Sequence, residues 1–89
     1  MKTVRLDAIS DLTFDQAQML ALNEARKSLR DPMILSWLNR ETGHHCPDVD
    51  CCRAEGKESW EIYAESRGGT LRLEFGDQFV FILRAGLDG

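Results

Sequence analysis

Eighty-nine residues, 43% hydrophobic and 29% charged, describe one small globular domain (residues 1–89), not a disordered chain or a two-domain protein. The net charge of −4, from 11 basic and 15 acidic residues, leaves no basic stripe and so argues against nucleic acid or an anionic membrane as a partner. No apolar run approaches the roughly 20 residues that span a bilayer.

The chain opens on an alternating segment. Val4 and Leu6 fall on one face and Arg5 and Asp7 on the other, which reads as a first strand over residues 3–9. The same residues form no uninterrupted apolar stretch of the secretory type, which points to the cytoplasm. Asp11-Leu12-Thr13 breaks the alternation. Thr13 with Gln16 fits a capping box, in which each side chain satisfies an amide at the start of a helix.

The pattern predicts a helix from Phe14 to Arg30. Phe14, Ala17, Ala21, Leu22, Ala25 and Leu29 share one face, and its alanines suggest close approach to a sheet. Asp15 early and Arg26, Lys27 and Arg30 late suit the helix dipole. Asp31-Pro32 ends it. The next apolar run, Met33 to Leu38, admits two readings. Asp31 as N-cap with Pro32 at the first helical position would start a second helix. A buried strand would complete a β-α-β unit, and this reading is preferred.

Residues 41–58 show no period and are punctuated by Gly43, Pro47 and Gly56, as in a long loop. A short helix follows from Glu58 to Ser66, with Trp60, Tyr63 and Ala64 on one side and Gly68-Gly69 as its exit. Thr70–Phe75 alternates as a strand, Gly76-Asp77 marks a hairpin turn, and Gln78–Arg84 is the last strand. Phe79-Val80-Phe81-Ile82-Leu83 is apolar on both faces. A two-residue turn would set Val80 and Ile82 beside Leu73 and Leu71, and a three-residue turn would reverse the faces. Either way one apolar pair lies on the hairpin's polar side and needs a cover, from a helix or from another subunit. The expected fold is therefore α+β, in the order β-α-β-loop-α-β-β, with a small mixed or antiparallel sheet packed by two helices.

Two features bear on function. Both histidines and all three cysteines lie within nine residues: His44, His45, Cys46, Cys51 and Cys52. Thiolate and imidazole are the preferred zinc ligands. The spacing H-H-C-x4-C-C departs from the paired motifs of structural zinc sites, because adjacent residues seldom both face one ion. Zinc held by this loop, completed by Asp48, Asp50 or a second subunit, is one reading; a solvated loop is the plainer one. Vicinal Cys51-Cys52 raises thiol redox chemistry, but Asp48, Asp50 and Glu55 offset Arg53, and there is no C-x-x-C. Three cysteines so close together form no disulfide framework. Cysteine beside histidine in one loop lacks the third, orienting group that nucleophilic catalysis needs, so nothing here argues for an enzyme. The second feature is the doubly apolar last strand. It suggests a non-enzymatic binding module, homodimeric, with Phe79 and Phe81 at the interface.

The stretches Ile34-Leu35-Ser36-Trp37-Leu38-Asn39-Arg40-Glu41-Thr42-Gly43, Trp60-Glu61-Ile62-Tyr63-Ala64-Glu65-Ser66-Arg67-Gly68-Gly69 and Phe79-Val80-Phe81-Ile82 resemble a small uncharacterised family of anaerobic bacteria and archaea. The resemblance covers some two-thirds of the chain. It implies a compact α+β fold and transfers no functional residue.

Overall fold

In a computed structural model, residues 2–7, 12–46 and 59–86 are described. Seven elements follow in chain order: β1 (Lys2–Leu6), α1 (Phe14–Ala25), β2 (Pro32–Asn39), β3 (His45–Cys46), α2 (Ser59–Ser66), β4 (Leu71–Phe75) and β5 (Phe79–Ala85). The strands form one mixed sheet in the order β1-β4-β5-β2-β3. β1 runs parallel to β4, and the other pairs are antiparallel. β1 and β2 therefore point the same way, and the β4–β5 hairpin lies between them. The expected α+β class and the β-α-β unit are both present, the latter in split form.

Residues 33–38 are strand. β2 pairs with β5 along its length and places Trp37 opposite Phe81 and Ile34 opposite Leu83. The register shifts between Ile34 and Ser36, so Leu35 is the extra residue of a bulge. Leu35 packs with Leu38 on the face that α2 covers, whereas Ile34 and Trp37 pack on the α1 side. β3 was not anticipated. It is a two-residue strand closing a hairpin, with Asn39 N–H donating to the His44 carbonyl at 2.8 Å.

α1 begins as its sequence dictates. Thr13 Oγ1 accepts from Gln16 N–H at 3.2 Å, and Gln16 Oε1 accepts from Thr13 N–H at 3.1 Å. Ala17, Ala21 and Ala25 are fully buried, so the helix lies close on β2, β5 and β4. It stops five residues before the expected Arg30. Ser28 N–H donates to the Ala25 carbonyl, and Lys27 N–H to that of Glu24, which tightens the chain into 3₁₀-type turns. Leu29 packs against the core from this turn, and Asp31 at φ 49° reverses the backbone into β2.

The β4–β5 turn contains three residues, Gly76, Asp77 and Gln78, because Phe75 pairs with Phe79 and Leu73 with Phe81. Gly76 takes φ 51°, a left-handed conformation open to glycine at little cost. Phe79, Phe81 and Leu83 therefore join Leu71, Leu73 and Phe75 under α1. Val80 and Ile82 share the opposite face with Arg72 and Glu74, and Trp60 and Ala64 of α2 cover them. Phe79 and Phe81, expected at a subunit interface, are 2% and 0% exposed. Phe14 stacks on both at ring separations of 6.0 and 5.7 Å. The cover that the doubly apolar strand needs comes from the chain's own two helices, one on each face.

Candidate functional site

The His/Cys segment begins in the β2–β3 hairpin. Asn39 Oδ1 accepts from Glu41 N–H at 3.0 Å, Gly43 N–H donates to the Asn39 carbonyl, and Gly43 sits at φ 78°. The ladder then places His45 opposite Leu38 and Cys46 opposite Trp37. Successive strand residues point to opposite faces, so His45 and Cys46 turn away from one another. Continued back one residue, the same register sets His44 across from Asn39, on the side of Cys46. His44 and Cys46 are exposed and His45 is half-buried. Cys51 and Cys52 lie outside the described residues, as do Asp48 and Asp50. Among the described residues no three metal-ligating side chains converge.

A second polar cluster lies on the α2 face of β4. Arg72 Nη1 donates to Glu61 Oε1 of α2, and Arg72 Nε to Glu74 Oε2, each at 2.9 Å. The guanidinium lies over the Trp60 ring, 5.6 Å from its centre. Burial works against the Arg72 charge, but the hydrogen bonds and negative charges of Glu61 and Glu74 outweigh it and raise the guanidinium pKa above its ordinary value. Arg5 Nε of β1 approaches Glu74 Oε1 at 3.7 Å, across a mostly exposed gap. Every charge in this group has an opposite neighbour, and the arrangement ties α2 to the sheet.

The largest apolar feature at the surface is a strip where α1 meets β1. Met19 is 65% exposed and Leu20 is 37% exposed. Leu20 is shared by two adjoining concavities. One, of about 310 Å³, also involves Leu6, Asp7, Glu24, Lys27 and Phe75. The other, of about 300 Å³, involves Leu12, Gln16 and Met19. Met33, 47% exposed, stands elsewhere on β2. The sequence carried a signal for this strip: Met19 and Leu20 are apolar but lie off the face defined by Ala17, Ala21 and Ala25. Trp37, Trp60 and Tyr63 form no shared pocket, since Trp37 packs on the α1 side and Trp60 under α2.

The family model described as "Domain of unknown function (DUF5619)" matches residues 1–83. The chain belongs to this family. An uncharacterised protein of Archaeoglobus fulgidus is 32% identical over 89 residues, which span all of this chain and 92% of that protein. A crystal structure of a novel protein from the same organism superposes with a TM-score of 0.83 at 31% identity, covering 100% of this chain and 99% of that one. These DUF5619 relatives agree with the resemblance to an uncharacterised family with archaeal members and with the α+β fold. Among the described residues, no helix is long and apolar enough to cross a membrane.

Proposed function

We propose that this DUF5619 domain is a non-enzymatic protein-binding module that self-associates through the apolar strip between α1 and β1. The observation that carries this reading is the exposure of Met19 and Leu20 beside two contiguous apolar concavities. Single apolar side chains at a surface need no explanation, but a contiguous group flanked by hollows is the usual mark of an interface. The position suits the rest of the fold. α1 rests on β2, β5 and β4, so β1 extends outward from the strands beneath the helix, and Val4 and Leu6 remain only half-buried. A chain of 89 residues has a thin core, and closing this strip against a second copy would add to it. The test is light scattering on Leu20→Glu and Met19→Glu. Both face solvent in the single chain, so folding should persist by circular dichroism while the dimer dissociates. Unchanged association in both variants would reject the strip.

A second reading has one observation in its favour. His44 and Cys46 lie on one side of the extended β3 segment, with the right donor chemistry for zinc. Two donors make half a site, to be completed by residues beyond Cys46 or by another subunit. Zinc titration followed by thiol accessibility checks this. Zinc that protects Cys46 in the wild type but not in His44→Ala supports it, and protection indifferent to His44 rejects it.

A further inference from the structure

We infer that two copies of the chain join along the free edges of β1, antiparallel, so that the five-stranded sheet continues across the dimer. This deepens the reading of the apolar strip as a contact surface and rests on it. β1 is an edge strand with β4 on one side only. Lys2 N–H donates to the Thr70 carbonyl, and the Leu6 carbonyl accepts from Gly76 N–H. The backbone groups of the even residues are thus turned toward β4. By the alternation of a strand, Thr3 and Arg5 present N–H and C=O to the open edge. These are the groups an antiparallel partner uses.

The faces and charges select the arrangement. A two-fold axis through Val4, perpendicular to the sheet, sets Thr3 against the partner's Arg5 as a hydrogen-bonded pair, twice over. It also keeps both copies' α1 helices on the same side of the continuous sheet. Leu6 and Leu20 of each strip then face the other copy across the seam. Lys2 falls opposite the partner's Leu6, at the rim of the concavity that Asp7 and Glu24 make acidic. Lys2 and Asp7 make no ion pair within the described residues. β1 thus starts at a cation and ends at an anion, and antiparallel pairing brings each beside its opposite. Parallel pairing would bring like beside like.

Analytical ultracentrifugation of the full chain tests this with two sets of variants. Arg5→Pro removes an outward N–H and leaves the inward ladder with β4 intact, a position where an edge strand tolerates proline. It should weaken the dimer roughly tenfold or more, because one backbone hydrogen bond is lost from each copy. Lys2→Glu and Asp7→Lys should each weaken it, and the double variant should recover. The charge variants decide the matter if Arg5→Pro does not fold. A dimer indifferent to both sets, yet dissociated by Leu20→Glu, would overturn the edge pairing while leaving the strip as the contact surface. A wild type that is monomeric at every concentration would overturn both.

Discussion

Ala17, Ala21 and Ala25 set the distance between α1 and the sheet. Each is fully buried, so any added methylene must displace Phe81, Leu73 or the helix itself. Ala21→Leu should cost about 1–3 kcal/mol by overpacking, read from the midpoint of urea denaturation. Arg72 is the other residue on which several contacts converge. Removing it in Arg72→Ala leaves Glu61 and Glu74 facing the Trp60 ring without their shared cation. A loss of about 2 kcal/mol is expected at neutral pH, with part retained in Arg72→Lys, which keeps the charge but not the planar fork. Because the Arg72 pKa is raised on folding, its contribution is complete below the unfolded-state value and fades only as pH climbs through the folded one. Ser36 provides the contrasting case. It is 1% exposed, and its Oγ has no hydrogen-bond partner among the described residues. Ser36→Ala should leave stability unchanged or raise it by up to about 1 kcal/mol, since it removes an unsatisfied buried hydroxyl.

Between elements, two glycines hold the chain where a side chain does not fit. A Cβ on Gly69 would stand 2.8 Å from Ile82 Cγ2 and 3.0 Å from the Ala64 carbonyl, in the exit from α2. Gly69→Ala should therefore lower stability by more than about 1 kcal/mol and loosen α2 first, measurable as faster amide exchange in Tyr63–Arg67. Most elements were legible because local signals agreed with tertiary packing. Thr13 and Gln16 wrote the start of α1, and the alternation of Leu71, Leu73 and Phe75 wrote β4. The end of α1 was not legible, since Asp31 takes a positive φ without the glycine that usually announces one. β3 escaped because two residues carry no period; His45 and Cys46 become a strand only through pairing with β2. The three-residue turn stood open as an alternative, and packing against α1 decides it: Phe79 and Phe81 fill the aromatic cluster around Phe14.

Across the whole molecule, the strongest compositional signal and the strongest surface signal fall in different places. The His/Cys segment drew attention because five donor residues crowd into nine positions. Within the described part, strand alternation parts His45 from Cys46, and sequence spacing cannot express that separation. The doubly apolar β5 was read as an interface because hydropathy reports that a face needs cover without saying what supplies it. Here α1 and α2 supply it. The apolar surface left over is the strip at Met19 and Leu20, beside a strand with one free edge. The most direct test is sedimentation equilibrium of the wild-type chain across a wide concentration range. A reversible monomer–dimer equilibrium, shifted to monomer by Leu20→Glu, is the predicted result. A monomer at every concentration would contradict self-association through this strip.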